Sequence, residues 1–150
     1  MSNALSIPRA GHSTHSDNSW SNAVAALDAF AEIKQVATVE SIGAAHSLRP
    51  VGPALGGREV DDVLQMHVAL LKLRSPKSRY FVLDLTQVRS MTACGLGLCS
   101  DLAKRAREAG LEPILFGASR EFLDALRMFK TDRLYHVIRT RNDLVVYTQA

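Results

Sequence analysis

The chain has 150 residues, of which 47% are apolar and 22% charged, with a formal net charge of +3. That is the size of one hydrophobic core, and the composition excludes a fully disordered chain. Acids and bases are interleaved with no basic tract, and no apolar run approaches the roughly 18–20 residues of a bilayer crossing, so neither a nucleic-acid partner nor direct membrane insertion is expected.

Residues 1–19 are rich in Ser, His, Asn, Asp and Gly and read as a disordered leader. Met1 to Ser21 is polar, without a basic start leading into an apolar segment, so no signal peptide is expected. His12, His15 and His46 have no cysteine or paired-carboxylate company, and no metal site is expected where about four regularly spaced ligands are needed. Residues 20–45 read as an N-terminal extension. Ser19 or Ser21 caps a helix over Asn22–Ile33, whose Val24, Leu27, Phe30 and Ala31 form one stripe. Glu32–Ile42, with Ile33, Val36, Thr38, Val39 and Ile42, reads as a helix end running into a strand.

The main domain is expected over 46–150. Its first stretch, His46–Gly57, holds Pro50, Gly52, Pro53, Gly56 and Gly57, and the prolines predict an edge strand because they cannot donate to a ladder. Arg58–Arg74 is a helix with Val60, Val63, Leu64, His67, Leu70 and Leu71 on one face. Asp61 and Asp62 near its start and Lys72 and Arg74 at its end suit the helix dipole. Tyr80–Leu85 is nearly continuously apolar apart from Asp84, as suits a strand buried on both faces. A loop over Thr86–Ala93 then enters a helix over Gly95–Ala109, with Leu98, Leu102, Ala106 and Ala109 inward and Gly110 as terminator. Leu111–Phe116 is a second buried strand. Ser119 caps a helix over Arg120–Lys130 with Phe122, Ala125, Leu126 and Phe129 inward. Leu134–Ile138 is a third strand, and 142–148 fits either a helical turn or an extended segment. Strands alternating with helices through short links predict an α/β domain with parallel later strands.

The informative stretch is Phe81–Arg105, in which a buried strand passes through a short loop into a glycine-rich helix start. Open α/β sheets carry their working sites at the carboxyl ends of such strands, and the first-turn N–H groups of a helix lack intrahelical acceptors. Gly95 and Gly97 each weaken the helix by about 1 kcal/mol relative to alanine. Two readings follow: something approaches this turn closely, or the glycines let the helix pack tightly. Cys94 at the helix start is a candidate nucleophile, with His67 or His136 as conceivable spatial partners, but cysteine is more often a small buried hydrophobe. Cys99 and Arg105 share the spacing of thiol phosphatases, yet the intervening residues are helix-forming and without glycine. Gly95-Leu-Gly97 lacks the third glycine of a dinucleotide fingerprint and the Lys of a P-loop. Asp84 at a strand end lacks the acidic pair and lysine that phospho-acceptor aspartates need. No catalytic residue and no cofactor are expected. The two cysteines cannot form a disulfide framework, and reduced thiols predict a cytoplasmic setting.

These residues resemble the STAS domain family, the fold of bacterial anti-sigma factor antagonists. Asp84-Leu85 matches the family's strand end, and Gly95-Leu96-Gly97 matches its Asp-Ser-Ser-Gly-Leu-Gly helix start. The helix through Leu102–Ala106, the strand Leu111–Phe116 and the run Phe129–Tyr135 match further on. The resemblance implies a mixed sheet of four or five strands with helices mainly on one face. It also implies a non-enzymatic signalling module that binds an anti-sigma factor or serine-kinase-like protein, or another signalling protein, through Met91, Thr92, Ala93, Cys94, Gly95 and Leu96. Arg89, Lys104 and Arg107 are candidates for charges at its rim. The first serine of the family motif is the phosphate acceptor. Aligned on Gly95, Thr92 takes the Asp position, Cys94 the second Ser position, and Ala93, which has no hydroxyl, the acceptor position. Thr92 is then either a displaced acceptor or simply the helix cap. Other roles implied for the family stay open: a scaffold subunit of a signalling assembly, an accessory subunit of a lipid or anion transporter, or a nucleotide-binding domain. So does a homodimer.

Overall fold

The computed structural model describes residues 36–149. The leader, the helix over Asn22–Ile33, and His12 and His15 lie outside the described residues.

Five strands make the main sheet: β1 (Ala37–Ile42), β2 (Ala45–Pro50), β4 (Tyr80–Asp84), β6 (Glu112–Phe116) and β7 (His136–Ile138). Their order across the sheet is β1-β2-β4-β6-β7, antiparallel between β1 and β2 and parallel elsewhere. A second, two-stranded ribbon pairs β3 (Ala54–Leu55) with β5 (Ser90–Met91) in parallel. The helices are α1 (Arg58–Leu73), α2 (Ala93–Glu108), α3 (Arg120–Met128) and α4 (Arg141–Gln149), with a 3-10 turn over Thr131–Leu134. The α/β class, the mixed sheet and the parallel later strands are as expected.

Strand β4 is the centre, and every one of its residues is buried. Alternate side chains face opposite sides of a pleated strand, so a strand covered on both faces must be apolar throughout. Phe81 and Leu83 join one core with Leu48, Leu115 and the inward stripes of α1 (Val63, Met66, Leu70), α2 (Leu98, Leu102, Ala106) and α3 (Phe122, Leu123, Leu126). Tyr80 and Val82 face the other side, where Ile42, Ile114, Phe116 and Ile138 pack under Leu144 of α4. Three helices thus cover one face and α4 covers the other. The 142–148 ambiguity resolves as helix, held by Leu144 and Thr148, the two fully buried residues of α4.

Three expectations change. Strand β1, which falls in the stretch read as an extension, is the edge of the main sheet, whereas β2 is an interior strand. Pro50 is compatible with that position because the β2–β4 ladder ends at Leu48 and Leu83, two residues before the proline. The third parallel strand begins at His136, after the 3-10 turn. Phe129, expected inward, is 64% exposed, because α3 ends at Met128 and Lys130 turns left-handed at φ 60°.

Candidate functional site

The chain leaves β4 through a carboxylate turned inward. The Asp84 Oδ1 accepts from the Thr86 amide at 2.9 Å and from the Thr86 hydroxyl at 2.6 Å. Its Oδ2 lies 3.9 Å from an Arg49 guanidinium nitrogen. With Asp84 buried and so occupied, it serves as the clasp of the strand end.

The following loop is braced by the small ribbon. The Arg89 and Ser90 amides donate to the Pro53 carbonyl at 2.7 and 3.0 Å, and the Thr92 amide donates to the Leu55 carbonyl at 3.1 Å. Gly52 packs so tightly on this loop that a Cβ would lie 1.8 Å from the Gln87 carbonyl oxygen. The ribbon therefore sets the position of Met91 and of the first turn of α2.

Thr92 is the N-cap of α2, and its Oγ1 accepts from the Gly95 amide at 3.3 Å. Leu96 then donates to the Thr92 carbonyl at 3.0 Å. The Ala93 and Cys94 amides are left as first-turn donors without an acceptor among the described residues. No acidic residue lies in the first turn to offset the positive end of the helix dipole.

The six residues singled out in the sequence lie together, with unequal exposure. Thr92, Ala93 and Cys94 are exposed, Met91 and Leu96 are half-buried, and Gly95 is buried. The two glycines have different physical reasons. A Cβ on Gly95 would lie 2.5 Å from both the Leu55 carbonyl oxygen and Met91 Cγ, whereas a Cβ on Gly97 would meet nothing within 4 Å. Gly95 permits packing against the ribbon, and Gly97 leaves bare surface. That surface is one wall of a cavity of about 260 Å³ lined by Ala93, Leu96, Gly97, Ser100, Phe129 and Thr131. Phe129 is 64% exposed and the neighbouring Met128 80%. Sequence reasoning placed Phe129 inward, because it continued the helical period beyond the last turn of α3, and it did not single out Met128, the last residue of that helix. Thr131-Asp132, opening the 3-10 turn after the left-handed Lys130, marks that stop in retrospect.

The thiols have separate fates. Cys99 is buried, and burial pushes its thiol up to about 12, so it stays protonated and unreactive near neutral pH. Its Sγ lies 4.0 Å from Met91 Sδ, and its carbonyl accepts the buried Tyr135 hydroxyl at 2.6 Å. Cys94 is exposed. Of the histidines considered as its partners, His67 is buried edge-on against Phe81, with ring centroids 4.4 Å apart, and His136 stacks on Tyr147. Of the rim candidates, Arg89 and Lys104 are exposed, while Arg107 donates to the Leu134 carbonyl at 2.9 Å and ties α2 to the 3-10 turn. Among the described residues no group of acidic, histidine or cysteine side chains could hold a metal, and no helix is long and apolar enough to cross a membrane.

The model of the STAS domain matches residues 24–144. No curated protein matches in sequence. Among solved structures, a candidate anti-sigma factor antagonist from Thermotoga maritima (TM1081) superposes with a TM-score of 0.64 at 14% identity, over 76% of this chain and 95% of its own. The anti-sigma factor antagonist SpoIIAA in its unphosphorylated form gives 0.57 at 10% identity, over 74% and 94%. The murine anion transporter Slc26a9 gives 0.60 at 15% identity, over 73% of this chain but 18% of the transporter. At these identities the likeness is one of fold.

Proposed function

Because this chain belongs to the STAS domain family, we propose that it is a non-enzymatic interaction module of the anti-sigma factor antagonist kind. It docks a regulatory protein, a serine-kinase-like anti-sigma factor or a relative of one, on the start of α2. The observation that carries this reading is the apolar face formed there by Ala93, Leu96 and the bare Gly97, continued by the exposed Phe129. Large aromatic side chains in exposed apolar patches mark protein contacts, since solvation of such a patch is costly and docking removes it from water. The two unoccupied amides of the first turn add polar fixed points for a partner's carbonyl or carboxylate.

Ala93 occupies the place of the family's acceptor serine, so docking is constitutive with respect to that residue. Thr92 serves as the cap of α2, and phosphorylation there would replace the cap contact with a bulky dianion against Gly56. A Cβ on Gly56 would already lie 2.5 Å from Thr92 Oγ1, so the threonine is closely seated on that side.

The test is affinity capture from the source cell with mass spectrometry, using the wild-type chain, Leu96→Arg and Lys77→Gln. A kinase-like or other regulatory protein is expected with the wild type and Lys77→Gln and absent with Leu96→Arg. Equal capture by all three places the interface elsewhere, and a membrane transport protein in the capture assigns the domain to transport.

A further inference from the structure

A second cavity lies away from the start of α2, at the carboxyl ends of β6 and β7. It has a volume of about 510 Å³ and is lined by Gly117, Ala118, Arg120, Leu123, Arg127 and Arg139. Three arginines therefore border one concavity in a chain whose net charge is only +3. The sequence shows no basic run there, because the three come from two elements: Arg120 and Arg127 from α3, and Arg139 from the residue after β7.

The charges are not equally compensated. Arg127 lies 3.3 Å from Asp124 and 3.9 Å from Asp132, which hold it in place and neutralise part of its charge. Arg120 and Arg139 have no ion pair among the described residues. Like charges around one hollow repel each other, and that cost is offset when an anion enters. Glu121 is exposed and does not line the cavity.

The backbone adds to this arrangement. Gly117, at φ +75°, turns the chain out of β6, and the Thr86 side chain would meet a Cβ there at 2.2 Å. The turn leads directly into Ser119, whose Oγ accepts the Phe122 amide at 3.1 Å while its carbonyl accepts the Leu123 amide at 2.9 Å. The Arg120 and Glu121 amides remain at the helix start without an acceptor among the described residues. The volume falls in the roughly 300–1,000 Å³ range of small-molecule sites, and arginine presents its donors in a fork that fits phosphate oxygens in pairs.

We infer that this cavity is a binding site for the phosphoryl group of a small molecule, with Arg120 and Arg139 as its principal ligands and Arg127 as a fixed third charge. It is separate from the docking face at Leu96, and the two proposals stand or fall independently.

Titration calorimetry on the full chain at fixed ionic strength tests it, with sodium pyrophosphate and AMP as small probes and a phosphoserine tetrapeptide as the competing source of the same group. Saturable one-to-one binding of pyrophosphate or AMP is expected. Loss of a charge-assisted contact should weaken it about tenfold in Arg139→Gln and further in the Arg120→Gln/Arg139→Gln pair, with no change in Lys72→Gln. All three substituted side chains are exposed, and unchanged thermal unfolding verifies that each variant is folded. No saturable heat with the wild type, or equal weakening in Lys72→Gln, overturns the proposal. Tighter binding of the phosphopeptide than of either small probe also overturns it, in favour of a phosphorylated protein.

Discussion

Gly95 and Gly97 are two residues apart on one helix, yet substitution should move stability in opposite directions. At Gly97 an added Cβ meets open space, so Gly97→Ala removes unfolded-state freedom and is expected to stabilise by about 0.5–1 kcal/mol. At Gly95 the same methyl is driven into the Leu55 carbonyl and Met91, and overpacking against backbone is expected to cost about 1–3 kcal/mol. Urea unfolding of the two variants checks the sign, and a destabilised Gly97→Ala would show that the first turn of α2 is strained for another reason. The sequence displays both glycines equally. It cannot distinguish them, because the distinguishing atom is a carbonyl on β3, 40 positions earlier in the chain. Thr92 was more legible: a threonine just before a helix start has a local role as cap, and the structure shows that contact.

At the scale of elements, α3 shows where periodicity stops being informative. Phe122, Leu123 and Leu126 are buried, as a 3.6-residue repeat demands. Phe129 continues the repeat in sequence but follows the last helical residue, so the backbone no longer carries it inward. Its exposure gives it a different expected phenotype from Phe122, which lies within the helix. Phe129→Asp should change unfolding stability by no more than about 0.5 kcal/mol, the usual range for exposed positions, while abolishing capture of the partner. Phe122→Ala should cost about 3–5 kcal/mol through the cavity it leaves. A Phe129→Asp protein that unfolds as readily as Phe122→Ala would show that the side chain is part of the core and not of the docking face. The β3–β5 ribbon is the opposite case. Its strands of two residues each are too short for any periodic signal, although they set the height at which α2 begins.

For the whole molecule, the alternation of Tyr80–Leu85, Leu111–Phe116 and the helices between them was enough to predict parallel strands, since each crossover is a local pattern. The β1–β2 hairpin and the placement of α4 on the opposite face depend on long-range pairing, such as Ala37 with Pro50 and Leu144 over Ile42 and Ile114, which local composition does not encode. The same long-range packing closes His46 and His67 into the core around Phe81, with centroid separations of 5.9 and 4.4 Å. Burial holds both rings neutral. The His46 ring falls to about 3, with His67 and Arg74 adding to the effect, and the His67 ring falls to about 4, with Arg105 adding. In the unfolded chain each takes its proton near pH 6.5, so the unfolded state binds more protons in the window between that value and the folded-state values. Stability is therefore fully present above about pH 6.5 and is lost as pH falls toward 4, with a slope of up to about 1.4 kcal/mol per pH unit for each histidine. Urea midpoints measured at pH 7.5, 6 and 5 should fall steadily, and His67→Met, which fills the same space without a titrating group, should reduce the slope. Midpoints that stay level from pH 7.5 to 5 would mean that water or an acceptor reaches the two rings, and that the core around Phe81 is open to protons.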